Sequence, residues 1–182
     1  MYIRNEDTIC APATIPGTGA ISVIRLSGPD AHAIADKVVR CSKGSISQAK
    51  GYTMKFGTVV SGDDTVVDEV IASVFRAPHS YTGEDSVELS CHASSYIVST
   101  VMNLLITAGA RAAEPGEFTQ RAFLNGKMDL AQAEAVADVI SSQSAAAHRI
   151  AFSQMKGGFS AELRDMRSEL LELVSLMELE LD

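Results

Sequence analysis

Two charged residues occupy strand-like segments in which a charge needs a reason. Arg25 interrupts Ile21-Ser22-Val23-Ile24-Arg25-Leu26, a stretch otherwise suited to a sheet interior. A guanidinium held there requires a carboxylate, a phosphate or a carbonyl as partner, and a strand-end salt bridge is the plainest way to supply one. Glu88 lies in Ser86-Val87-Glu88-Leu89-Ser90-Cys91, where alternation puts Val87, Leu89 and Cys91 on one face and Glu88 on the polar one. It follows Ser80-Tyr81-Thr82-Gly83-Glu84-Asp85, whose two acids read as solvated loop residues around a glycine turn. The densest stretch is Pro115-Gly116-Glu117-Phe118-Thr119-Gln120-Arg121-Ala122-Phe123-Leu124-Asn125-Gly126-Lys127-Met128-Asp129. It mixes aromatic, cationic and amide side chains in what reads as an irregular connection between domains, where ligand pockets favour forming.

Several chemistries are missing by pattern. Gly126-Lys127 is followed by Met128, so no G-x-x-x-x-G-K-[ST] phosphate loop occurs. His32, His79, His92 and His148 show neither HxH nor HExxH spacing, which predicts no metal site, and there is no G-x-S-x-G nucleophile elbow. Pro16-Gly17-Thr18-Gly19 could cradle an anion on backbone N–H groups, although two glycines before a strand ordinarily make only a turn. Cys10, Cys41 and Cys91 are odd in number and lack CxxC spacing, and no charged-then-apolar leader opens the chain, so a cytoplasmic protein with reduced thiols is expected. No apolar run approaches the roughly 20 residues of a membrane helix.

At 182 residues and 46% hydrophobic content the chain can bury a core without disulfide or metal staples, which excludes disordered and collagen-like readings. Fifteen Lys and Arg against 23 Asp and Glu give a net charge of −8, which opposes general binding to a phosphate backbone. The charge is −2 through Lys127 and −6 beyond it, so the acidity belongs to the C-terminal third.

The elements that must position these residues follow from pattern. Residues 8–16 carry two prolines and are extended; the segment from Ile21 is a central strand; Gly28-Pro29-Asp30 opens a helix with proline in its first turn and Ala31, Ile34, Ala35, Val38 and Val39 buried. Residues 52–60 and 65–75 pair as a hairpin about Ser61-Gly62-Asp63-Asp64. A strand from Val87 to Cys91 precedes a helix through Ile97, Val101 and Leu105 that ends near Gly109. Asp129-Leu130-Ala131-Gln132 forms a capping box for a helix buried through Leu130, Ala133, Val136, Ala137 and Ile140. A last helix, capped by Ser160, carries Leu163, Met166, Leu170, Leu173, Met177 and Leu181 as a stripe with no visible partner. Glu178, Glu180 and Asp182 put negative charge on the negative end of its dipole without a terminator, from which a piece of a longer protein is expected.

Three segments carry a resemblance. Pro-Gly-Thr-Gly-Ala-Ile-Ser-Val-Ile-Arg-Leu-Ser-Gly (16–28), Ser-Tyr-Thr-Gly-Glu-Asp-Ser-Val-Glu-Leu (80–89) and Pro-Gly-Glu-Phe-Thr-Gln-Arg-Ala-Phe-Leu-Asn-Gly-Lys-Met-Asp-Leu-Ala-Gln-Ala-Glu-Ala (115–135) resemble the bacterial family of tRNA modification GTPases that act on wobble uridine. Ala93-Ser94-Ser95 departs from it, since glycines usually follow the histidine there.

The resemblance implies an α+β fold, with a mixed β-sheet and helices like the folate-binding aminomethyltransferase of glycine cleavage, followed by a helical segment. Residues 1–118 would form a tetrahydrofolate-binding and dimerising domain and residues 119–182 the first part of a helical domain. The GTPase domain, with its GTP, Mg2+ and K+ sites, would lie outside the chain. Arg25, Glu88 and Lys127 fall on positions that contact 5-formyl- or 5,10-methylene-tetrahydrofolate, and no catalytic residue is expected in this part. A carboxylate such as Glu88 can accept from the ring N–H and 2-amino group of a reduced pterin, while Arg25 or Lys127 would suit the carboxylates of the folate tail. Implied partners are a second copy of the chain, an FAD-dependent protein and tRNA. Two rivals are a stand-alone folate-dependent aminomethyl- or formyltransferase, for which a further β-rich domain would be expected, and an oligomerisation module with a degenerate pocket.

Overall fold

Period-two alternation dictates the centre of the molecule. Along β5 (Val66–Phe75) Asp68, Val70, Ala72 and Val74 are buried while Val66, Glu69 and Ile71 are exposed. Along β6 (Ser86–His92) Val87, Leu89 and Cys91 are buried on either side of the half-buried Glu88 and Ser90. One face must therefore be covered and the other open. The computed structural model, which describes residues 7–17, 19–62 and 64–181, has this arrangement. Together with β1 (Ile9–Pro12), β2 (Ile21–Ser27), β3 (Val39–Cys41), β4 (Thr53–Val60) and β7 (Arg111–Ala112), these strands form a seven-stranded mixed sheet in the order β3-β4-β5-β6-β2-β1-β7. All neighbours are antiparallel except β1 and β7. The α+β class and the hairpin, here β4 with β5, are as expected; Asp63 of its turn lies outside the described residues.

Helices α1 (Ala31–Val38) and α2 (Ser95–Thr107) cover the buried face. Ile34 and Val38 of α1 and Val101 and Leu105 of α2 join Ile24, Leu26, Val70, Val74, Val87 and Leu89 in one core. Helix α1 starts later than its sequence suggests. Pro29 precedes it, Asp30 is at the N-cap without a side-chain cap bond, and the Asp30 backbone N–H instead donates to Thr8 Oγ1 at 3.0 Å. The cause is Gly28, whose φ of +137° turns the strand sharply against Thr8 before a helix can begin.

The segment after Pro115 is not irregular: Glu117–Leu124 is a helix, α3, begun by Gly116 in the left-handed region at φ +79°. Its Glu117 and Arg121 are buried and pair one turn apart. The chain divides into two compact units between Asn125 and Gly126, whereas a boundary at 118 would cut α3.

The second unit contains α4 (Leu130–Ser141), α5 (Ala145–Met155) and α6 (Gly158–Leu181). The capping box forms as expected, Asp129 accepting from the Gln132 N–H and Gln132 Oε1 from the Asp129 N–H, both at 2.9 Å. The expected α4 stripe is not buried, for Leu130 and Ile140 are exposed. Ala135 of α4 and Ala151 of α5 are the buried positions, where small side chains let the two helices approach. Helix α5 has no counterpart in the pattern reading, although Ser144 before a run of alanines is a cap signal; its side chain accepts from the Ala147 N–H. Ser160 lies inside α6 rather than at its cap, and its hydroxyl, followed by the Gln132 N–H, holds the Asp129 carboxyl below the usual carboxylate range. Leu163, Met166, Leu170, Leu173 and Met177 are all about half exposed or more, as the unpartnered stripe required. Asp182 and the side chains of Glu180 and Leu181 lie outside the described residues. Among the described residues no helix is long and apolar enough to cross a membrane.

Candidate functional site

The pairing register of β2 and β6 sets Arg25 directly opposite Glu88 on the open face of the sheet. Directly opposed side chains in an antiparallel pair are close enough to bond. Arg25 Nε donates to Glu88 Oε1 at 2.9 Å and Nη2 lies 2.8 Å from the same oxygen, so the ion pair is made on one carboxylate oxygen. The two side chains remain 25% and 27% exposed, within reach of a ligand from the open side. Two of the residues singled out from sequence are thus one unit, although the sequence offered no register to say so.

Two rings lie within cation–π range of that guanidinium. Its carbon is 5.0 Å from the centroid of Tyr81, from the loop between β5 and β6, and 5.6 Å from that of Phe118 on α3. The Tyr81 hydroxyl meets Thr119 Oγ1 at 2.8 Å, and Asn125 Nδ2 donates to the Thr82 carbonyl at 2.8 Å, so the loop and α3 are fastened to each other at both ends. Pattern reading placed Phe118 and Tyr81 in suggestive segments but gave neither a role.

A charge network, buried at Arg121 and Glu117 and open at Arg111 and Asp7, joins the same segments. Arg111 Nη2 donates to Glu117 Oε1 at 2.6 Å and Arg111 Nε to Asp7 Oδ2 at 2.6 Å, while Arg121 bonds Asp7, Glu117 and Glu84. Glu84, read from sequence as a solvated loop acid, accepts from the Ser27 hydroxyl at 2.7 Å. Hydrogen bonding from Arg111 holds the Asp7 carboxyl below its ordinary range. Burial pushes Glu117 up, but hydrogen bonds from Arg111, the Glu114 N–H and Arg121 outweigh it and leave Glu117 lowered as well. A carboxyl with a depressed folded pKa contributes stability that is present above its unfolded pKa and is lost as pH falls through the folded one. The melting temperature is therefore expected to drop below about pH 4, the ordinary carboxylate range. Arg111→Gln should melt lower at pH 7 and lose less on acidification; parallel pH profiles for parent and variant would contradict this.

His32, on the helical face that packs on the sheet, is buried and was not anticipated as a polar hub. Its Nε2 faces the Phe75 carbonyl at 3.0 Å and its Nδ1 faces Asp85 Oδ2 at 3.1 Å, anchoring the root of the Tyr81 loop. Asp68 is likewise buried and holds both the backbone N–H and Nδ1 of His92 at 2.7 Å. No group of three or more metal-ligating side chains is found among the described residues. Burial pushes the Cys10 thiol up to about 11 and raises Cys41 and Cys91 too, so none of the three is a poised nucleophile.

The glycine segment and the departing Ala93-Ser94-Ser95 lie together elsewhere. They line a cavity of about 830 Å3 with Ile15, Val98 and Met102, four residues along the strands from the Arg25–Glu88 pair. Its lining is mainly apolar, not that of an anion cradle; Thr18 lies outside the described residues. Lys127 belongs to the second unit, in the segment between α3 and α4.

Comparison with known proteins gives two family matches. The model described as GTP-binding protein TrmE N-terminus matches residues 8–127, and that of the MnmE helical domain matches residues 130–182. Among curated relatives, the tRNA modification GTPase MnmE of Bacteroides thetaiotaomicron is 61% identical over 98% of the chain. That of Parabacteroides distasonis is 59% identical over 96%, and that of Porphyromonas gingivalis 51% identical over 100%. The chain spans 38% of the length of the first two and 39% of the third.

Proposed function

The chain belongs to the MnmE family, and we propose that its first unit binds a reduced folate at Arg25 and Glu88 and that two copies associate. The observation that carries the proposal is a carboxylate presented on an open sheet face, fixed through one oxygen by Arg25 and bordered by the rings of Tyr81 and Phe118. The donor set suits a reduced pterin, since Glu88 can accept from the paired ring N–H and 2-amino group while the rings offer apolar surface beside them. Because Arg25 already balances Glu88, we assign the tail carboxylates to the other cation that the resemblance implies, Lys127. Bound 5-formyl- or 5,10-methylene-tetrahydrofolate supplies the one-carbon unit; the residues of this chain hold and orient it.

In the longer proteins of the family we assign this unit to tRNA wobble-uridine modification together with an FAD-dependent partner. GTP, Mg2+ and K+ are assigned to the part of those proteins that the chain does not span, consistent with the absence of a phosphate-loop pattern in this sequence. Support for association is the open sheet face, where Ile21, Met54, Phe56 and Ile71 are between 44% and 74% exposed. Phe56→Glu is expected to shift the chain from dimer to monomer in light scattering; a dimer that persists would remove this face from the interface.

Thermal protection tests the folate reading. A ligand at about 100 times its dissociation constant stabilises the state it binds by roughly 2.7 kcal/mol. The melting temperature should therefore rise with 5-formyltetrahydrofolate and also, at higher concentration, with a tail-less reduced pterin. No shift with either would refute the assignment.

A further inference from the structure

Arg121 is the largest fully buried side chain among the described residues, and nothing in the proposed pterin chemistry uses it. Its Nη1 donates to the Asp7 carbonyl at 2.8 Å and to Glu84 Oε1 at 3.3 Å, and its Nη2 to Asp7 Oδ1 at 2.5 Å and Glu117 Oε1 at 3.0 Å. Its Nε–H is buried and has no partner among the described residues. A buried donor left unsatisfied costs about 1–3 kcal/mol, and an apolar residue of similar volume in place of a buried ion network is often neutral or stabilising. Stability alone is thus a poor reason for an arginine in this position.

Its geometry supplies a better one. The guanidinium joins three segments: the approach to β1 through Asp7, the loop between β5 and β6 through Glu84, and α3 through Glu117. The latter two are the segments that bring a ring to Arg25. Tyr81 lies three residues before Glu84, and Phe118 is next to Glu117. We propose that Arg121 is a positioning residue of the folate site: by locking α3 to the Tyr81 loop it sets both rings against Arg25, and so fixes the direction in which Glu88 presents its carboxylate. The proposal rests on the folate reading above. Removing the guanidinium leaves no carboxylate stranded, because Glu117 and Asp7 keep Arg111 and Glu84 keeps Ser27.

The test uses the 182-residue chain with two readouts, the Arg25 Nε–H proton resonance and calorimetric affinity for 5-formyltetrahydrofolate. Arg121→Met is expected to move the Arg25 resonance while the amide resonances of β4 and β5 stay in place, and to weaken binding about tenfold, since small displacements of positioned groups carry penalties of that order or larger. Arg121→Lys, which restores charge without the fork, should recover part of both. If Arg121→Met does not fold, Glu84→Gln replaces it, and a loss of about threefold with the same resonance shift is expected. An unmoved Arg25 resonance in a folded variant, or affinity equal to the parent's, would overturn the proposal. Should the parent itself fail to bind, the folate reading falls, and the Arg25 resonance alone still decides whether Arg121 positions that side chain.

Discussion

Glu88→Gln is expected to lower the affinity for 5-formyltetrahydrofolate by roughly 10- to 150-fold while leaving the fold intact. The magnitude is that of one charge-assisted hydrogen bond, about 1.5–3 kcal/mol. The amide is isosteric, and its oxygen can still accept from Arg25 in the place of Oε1. Its NH2 then takes the place of Oε2 and faces the donors of the pterin, so an attraction becomes a clash of donors. Since Glu88 is only half-buried and its strand is held by the buried Val87, Leu89 and Cys91, melting should change little. Calorimetry on the variant, with a thermal melt as control, checks both statements. Parental affinity in a folded variant would return Glu88 to the status of an ordinary cross-strand ion-pair partner.

Gly28→Ala should destabilise the first unit by about 3 kcal/mol or more, well beyond a typical surface substitution. A Cβ at that position would stand 2.6 Å from Thr8 Cα and 2.7 Å from the Asp7 carbonyl oxygen, both backbone atoms that cannot swing aside. The φ of +137° adds strain for any side chain. The same corner feeds the candidate site, because the Gly28 N–H donates to the Asp85 carbonyl at 3.0 Å and Asp85 anchors the loop that carries Tyr81. Urea unfolding of parent and variant measures the effect, and a midpoint unchanged within error would mean that the corner relaxes freely.

What could be read from sequence was what local periodicity encodes. Alternation marked β6 and placed Glu88 on its polar face, two β-rich runs about a turn marked the β4–β5 hairpin, and the Asp129–Gln132 capping box marked the start of α4. Arg25 was visible as a charge without a local reason. What stayed hidden was everything set by long-range register. Arg25 and Glu88 are 63 residues apart, Arg121 and Asp7 are 114 apart, and no local pattern states that they meet. Helix α3 was missed for a related reason. Eight residues make only a marginal helix by themselves, and the packing that supports it, such as that of the buried Ala122, comes from the rest of the unit. Glu84 and Asp85 looked like solvated loop acids because their partners, Ser27, Arg121 and His32, lie on distant segments.

The central claim is that a reduced folate is recognised at the Arg25–Glu88 pair and not at the apolar cavity beside Ser94. Calorimetric titration of the 182-residue chain with 5-formyltetrahydrofolate at neutral pH, repeated with Glu88→Gln and with Ser99→Asn in that cavity, tests it most directly. The account predicts saturable binding to the parent, retained by Ser99→Asn and weakened at least tenfold by Glu88→Gln. No saturable heat from the parent, or binding kept by Glu88→Gln and lost by Ser99→Asn, would contradict it.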